Sequence, residues 1–224
     1  MNQQLNLSLQ PMDLPKQTHV RADNHFQFNP KDFLDAVKNH DWQAFEQWFP
    51  IVQSRKYALN YFTSALNIAC ECNHTDMISR LAPLANCNAL HGQPLVNCIR
   101  HNNIEALDIV LPRTHFPKFQ SKALSTCILP QFIGPALDYL LPYCVAENDD
   151  GVALFAALSH SNMDVARKLY PVSNVKRVWD KIYSPNFGPC SEYRDVYIED
   201  LHLLEREHLE HQLPTSTGLK TRKI

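Results

Sequence analysis

The chain has 224 residues, 45% of them apolar and 20% charged, with a formal net charge of −2. That is enough apolar material for a sizeable core in one elongated domain, and the near-balanced charge argues against nucleic acid or an anionic membrane as partner. No apolar run reaches the length of a membrane span, and five glycines leave little material for a phosphate-cradling loop.

The first residues, Met1 to Gln10, lack the basic region and apolar stretch of a secretory signal, so a soluble, cytoplasmic product is expected. Residues 1–29 are polar, interrupted by Pro11 and Pro15, and read as a flexible N-terminal arm. The alternation of Leu5, Leu7 and Leu9 offers a short docking strand as the other reading.

From Pro30 the chain falls into a frame that recurs. Its clearest version starts at the anchor Leu66, with the small Ala69 three residues on, a polar turn at Asn73-His74, apolar Met77-Ile78 and Leu81-Ala82, and Pro83 at the end. The same seventeen-residue span runs from Phe33 to Pro50, Leu95 to Pro112 and Leu154 to Pro171, and with one extra residue from Leu124 to Pro142. The position three after the anchor is always small (Ala36, Ala69, Cys98, Cys127, Ala157), as a helix requires where another helix comes close. Asn39, Asn73, Asn102 and Asn162 fall at or beside the turns, where Asn ends one helix and caps the next. The second segment of each unit carries apolar residues at helical spacing, among them Trp42, Phe45, Trp48 and Phe49 in the first unit, expected to be core. Proline is expected to stop each unit. The buried cysteines this frame implies, Cys70, Cys98 and Cys127, suit a reducing compartment.

Anchors are separated by 33, 29, 29 and 30 residues. This period, with Ser64-Ala-Leu-Asn-Ile-Ala69, the turn residue His74 and the loop Asp149-Asp150-Gly151, resembles the ankyrin-repeat family over residues 30–172. The departures are the absence of an intact T-P-L-H, Asn in place of the turn glycine, and the terminal proline. A helical-hairpin solenoid without ankyrin kinship is the other reading of the same period. The resemblance implies an all-α solenoid of five repeats with shortened or lost β-hairpin fingers. Residues 51–63, with Tyr57, Tyr61 and Phe62, are the candidate for a surviving finger-like loop. The fourth unit is the least regular, with Pro130, Gly134 and Pro135 around its turn.

After Pro171 the frame gives way to an amphipathic helix at Val175–Tyr183. A charged helix follows from Ser191 to His211, with Val196, Ile198, Leu201, Leu204 and Leu209 as its apolar positions. Residues 173–212 read as the C-terminal cap that a repeat array needs, and 213–224 as a short tail.

The usual catalytic signatures are missing: no H-E-x-x-H and no G-x-S-x-G occurs. Cys70, Cys72 and His74, with Cys87 or His91, have a spacing that invites a metal, but two residues along a helix diverge onto different faces. No cofactor is expected. The resemblance implies binding of another protein on the concave side, by a monomer, through the ends of the first helices. In this chain those positions are Lys38 and Asn39, Glu71 and Cys72, Arg100 and His101, Leu129 and Pro130, Ser159 and His160. Arg100 with His101 is the favoured pair, since Arg is enriched among interface hot spots. Two other functions fit less of the chain. One is an exported bacterial effector or toxin-neutralising protein acting in a host cell, from the acidic helix and tail; the other is an enzyme built around Cys190 and Asp195.

Overall fold

A computed structural model describes residues 28–184 and 193–212 of the chain. The regular elements are twelve α-helices and five 3-10 turns, with no strand among the described residues. The helices are α1 (Pro30–Lys38), α2 (Trp42–Gln53), α3 (Ala58–Glu71), α4 (Thr75–Leu81), α5 (Ala89–Arg100) and α6 (Ile104–Val110). They continue as α7 (Phe116–Cys127), α8 (Pro135–Leu140), α9 (Val152–Ser159), α10 (Met163–Leu169), α11 (Val175–Ile182) and α12 (Arg194–Gln212). No helix among the described residues is long and apolar enough to cross a membrane.

Each unit of the sequence frame is a pair of antiparallel helices, and the turn between them has one recurrent construction. The residue seven after the anchor is left-handed in four units: His40 (φ 55°), Asn73 (61°), Asn102 (49°) and Ser161 (52°). The following N–H returns to the carbonyl three after the anchor: Asp41 to Ala36, His74 to Ala69, Asn103 to Cys98 and Asn162 to Ala157. This is the Schellman closure, which satisfies carbonyls that the helix end would otherwise leave open. The residue that closes one helix also starts the next, since Asp41, Asn103 and Asn162 accept the N–H groups of Ala44, Ala106 and Val165. Two adjacent residues therefore divide the work the sequence assigned to one Asn: in the first and fifth units His40 and Ser161 take the left-handed place.

The pairs stack in chain order. First helices α1, α3, α5, α7, α9 and α11 each pack on the next, and α4, α6 and α8 run alongside as a second layer. The anchors Phe33, Leu66, Leu95, Leu124 and Leu154 are all 0% exposed, and the small residues three positions on are buried with them. One core cluster runs from Phe33 to Leu204, with the cap helix α12 closing it against α9, α10 and α11. Gly92 and Gly151, each three before an anchor, are left-handed (φ 73° and 72°). A Cβ at Gly92 would lie 2.8 Å from Phe119 on α7, and one at Gly151 would lie 2.7 Å from Val178 on α11. The next first helix comes that close, and only glycine leaves room for it. Behind Gly151 the buried Asp149 accepts its N–H at 2.9 Å and the Ser121 hydroxyl at 3.1 Å, tying the loop to α7.

Several expectations are corrected. Residues 51–63 are no finger-like loop: α2 runs to Gln53, α3 begins at Ala58, Phe62 is buried and Tyr61 half-buried, while Tyr57 projects into solvent. The proline at the end of the first unit does not stop its helix. Pro50 sits inside α2 on the exposed side, as does Glu46, so the carbonyl that loses its helical donor faces water, while Val52 beyond it is buried. Pro112, Pro142 and Pro171 instead each lie in a 3-10 turn that tightens the helix end. Trp42, expected in the core, is exposed and lies against the ring of Phe45. On α12 Val196 and Leu209 are exposed, and Tyr197 shares the buried face with Leu201 and Leu204 because the helix docks on α9, where Phe155 meets Tyr197 edge-on. Phe28, counted with the arm, packs edge-on against Trp48 and Tyr61 beneath the guanidinium of Arg55. The remainder of the arm (1–27), the tail and Cys190 lie outside the described residues.

Candidate protein-binding edge

The positions singled out in the sequence come together. Lys38, Glu71, Arg100 and Ser159 are the last residues of α1, α3, α5 and α9, and Asn39, Cys72, His101 and His160 are the caps that follow. Because the pairs stack, these ends form one edge, exposed except at Cys72 and Ser159, which are half-buried. Leu129 and Pro130 are exposed too, but in the fourth unit the chain leaves the frame for a 3-10 turn at Pro130–Phe132, which interrupts the row.

Not all of these side chains are free. The His101 Nε2–H donates to the Glu71 carbonyl at 2.8 Å, bridging the third and second units and fixing the tautomer of that ring. The Arg100 guanidinium stands 5.9 Å from the ring centroid of Phe132 in the fourth unit. The Ser159 hydroxyl and His160 Nδ1 are turned back on the carbonyls of Phe155 and Ala156 in their own helix. Lys38, Asn39 and Glu71 are exposed and Cys72 half-buried, and their side chains make no hydrogen bond or ion pair among the described residues.

Other residues build the edge through contacts between units that the sequence reading missed, having placed them only at the turns. Asn102 reaches into the fourth unit, donating to the Phe132 carbonyl at 3.1 Å and accepting from the Ala136 N–H at 3.3 Å. The Asn103 amide donates to Asn73 at 2.6 Å and to Thr75 at 2.7 Å. In the first two units His40 and His74 stack at 4.3 Å; His74 Nδ1 donates to the Val37 carbonyl at 2.9 Å and His40 Nε2 to the Asp76 carboxylate at 2.9 Å. Burial pushes the Asp76 carboxyl up, but the His40 and Met77 N–H donors outweigh it and hold the group below its ordinary range. The signal for these contacts was present as polar residues recurring about thirty apart, one repeat period, so that adjacent units bring them side by side.

The remaining chemistry is muted. Cys70 faces the core and Cys72 the half-exposed turn, and no group of three or more His, Cys, Asp or Glu among the described residues is placed to hold a metal ion. A hydrogen bond donated to Cys98 and burial hold the Cys70 thiol protonated, and burial pushes Cys127 and Cys144 up to about 12. Asp195 is exposed in the first turn of α12. A cleft of about 370 Å³ between α10 and α12 holds Arg167, Lys168, Tyr170 and His208. Its cations are already neutralised, Arg167 by Glu207 and Asp164, Lys168 by Asp138. Comparison of the chain with protein-family models, with curated proteins and with solved structures returned no match.

Proposed function

We propose that this protein is a non-enzymatic interaction module, an ankyrin-like solenoid of five units with a helical cap, that binds a protein partner across the ends of its first helices. The observation that carries the reading is the exposed edge itself: equivalent positions of successive units are brought into one row, and their side chains differ from unit to unit (Lys38, Glu71, Arg100, Ser159). A recurrent backbone construction in four of the five units beneath changing side chains is what a recognition surface built from repeats presents.

Two further features support it. Consecutive first helices pack more extensively on one another than second helices do, as the inner layer of a curved stack would. Left-handed glycines three residues before the anchors Leu95 and Leu154 give the loop-to-helix entry that the ankyrin frame uses. The protonated state of the Cys70, Cys127 and Cys144 thiols removes those three as nucleophiles near neutrality.

The test is affinity capture from native lysate with wild type and an Arg100→Ala/His101→Ala/Glu71→Ala variant whose helical content and melting are unchanged. A partner kept by the wild type and lost by the variant supports the edge as the working surface. Equal retention by both moves binding to another face.

A further inference from the structure

The two helix layers differ in charge and in how that charge is used. First helices α1, α3, α5, α7 and α9 carry five cations, Lys31, Lys38, Arg100, Lys118 and Lys122, against three carboxylates. Second helices α2, α4, α6, α8 and α10 carry three cations against six carboxylates. Every contact between a basic and an acidic side chain recorded among the described residues falls on the turns, the second helices or the cap: His40–Asp76, Arg167–Asp164, Arg167–Glu207, Lys168–Asp138 and His202–Glu205. The third second-layer cation, Arg80, lies over the Phe49 ring. The first-layer cations have no carboxylate partner among the described residues.

Lys122 shows what replaces one. Its ammonium donates to the His91 carbonyl at 3.1 Å and to Gln93 Oε1 at 3.3 Å, both neutral. Gln93 Nε2 then donates to Asn97 Oδ1 at 2.9 Å, and Asn97 Nδ2 donates to Asn67 Oδ1 at 3.4 Å. The amides thus point one way across α7, α5 and α3, and Asn97 within that run is 3% exposed, so the series is held rather than floating. It positions an exposed ammonium and keeps its full charge uncompensated. Spacing of three and four residues puts Ser64, Asn67 and Glu71 on the open face of α3, Gln93 and Arg100 on α5 to either side of the buried Asn97, and Lys122 and Ser125 on α7. A cation oriented by neutral acceptors and left without a counter-ion is a standing attraction for a carboxylate supplied from outside.

We infer that the open face of the first-helix layer takes an acidic, extended segment of a protein partner, whose carboxylates meet Lys122 and Arg100. This rests on the reading of that layer as the partner-binding side and adds the chemistry of what it binds. A chain lying across the stack crosses one helix after another, so carboxylates at intervals along it meet α5 and α7 in turn.

The test is a phage-displayed random peptide library panned on the full chain, with enriched peptides titrated against wild type and three single charge reversals. Lys122→Glu and Arg100→Glu lie on the face; Arg206→Glu, on an exposed position of α12, makes the same change in net charge away from it. The enriched peptides should be rich in Asp and Glu. Their affinity should fall with salt and drop by about tenfold in either face variant, with Arg206→Glu close to wild type. Two face variants guard against one failing to fold. Peptides that lose affinity in an Asn67→Ala/Glu71→Ala variant but are apolar or basic overturn the acidic chemistry and leave the binding face standing. Peptides indifferent to all face substitutions overturn both. Preferential binding of a duplex oligonucleotide that depends on Lys122 also overturns the inference, as does a library that enriches nothing.

Discussion

The adjacent hairpins α5–α6 and α7–α8 close their turns by different means. In the first, Asn102 adopts the left-handed conformation, the Asn103 N–H returns to the Cys98 carbonyl, and the Asn103 side chain caps α6. All of this lies within a few residues of sequence. In the second, Pro130 has no N–H to offer, and a 3-10 turn carries the chain to Gly134, which has no capping side chain. The missing polar partner comes from outside, because the Asn102 amide bonds both the Phe132 carbonyl and the Ala136 N–H. The regular unit thus holds its own turn and, through the same residue, its neighbour's. A repeat array can tolerate an irregular member when the adjacent unit supplies what that member lacks.

The largest expected effect tests whether the two hairpins differ beyond their turns. Leu66→Ala, Leu95→Ala and Leu124→Ala each remove a fully buried anchor, and each should cost about 2–5 kcal/mol in urea unfolding. A Leu124→Ala cost far below the other two would show that the irregular unit is poorly packed as well as irregularly turned.

Next comes Asn102→Ala. It strips the fourth-unit turn of both side-chain hydrogen bonds and puts Ala in a left-handed position, so a loss of about 2–3 kcal/mol is expected. Asn73→Ala removes a single bond to the next unit's turn, the one from the Asn103 amide, and should cost less, about 1–2 kcal/mol. Equal losses would break the idea that Asn102 serves two units. Gly134→Ala probes the same contact from the other side. Its φ of −178° is extended backbone open to any residue, but the new Cβ would collide with the Asn102 side-chain amide. Destabilisation should appear in wild type and shrink in the Asn102→Ala background, a coupling that a double-mutant cycle measures.

A smaller effect with the opposite sign is expected at Ser161, exposed and left-handed in the fifth turn. Ser161→Gly relieves that backbone and should stabilise by about 0.5–1 kcal/mol in urea unfolding. The smallest effect is electrostatic. The Asp76 carboxyl is held below its ordinary range in the folded chain, so its contribution is fully present above the unfolded value near 3.8 and is lost as pH falls through the lower folded value. Both partners are about half exposed, which limits the contribution to about 0–1 kcal/mol. Comparing urea midpoints of wild type and Asp76→Asn at pH 6 and pH 3 should show the gap narrowing at the lower pH.

Much of this architecture was legible from the chain alone because it is periodic and local. Leu66 and its counterparts, the small residues behind them and the turns at Asn73 and Asn102 follow from helical spacing and from which residues tolerate left-handed backbone, both properties of a short stretch. The ends of helices were less legible. Pro50 marked a stop that burial of Val52 overrode, and α3 began at Ala58 without a capping side chain to announce it. On α12 the apolar spacing was visible, but docking against α9 chose Tyr197 over Val196. The binding edge divides in the same way. The row from Lys38 to His160 could be read from the frame, while the bridges from Asn102 to Phe132, from His101 to Glu71 and from Lys122 through Gln93 to Asn67 join residues about one repeat apart. Such pairs exist only once one unit is laid on the next, because the stacking distance, not the order of residues, sets which side chains can touch.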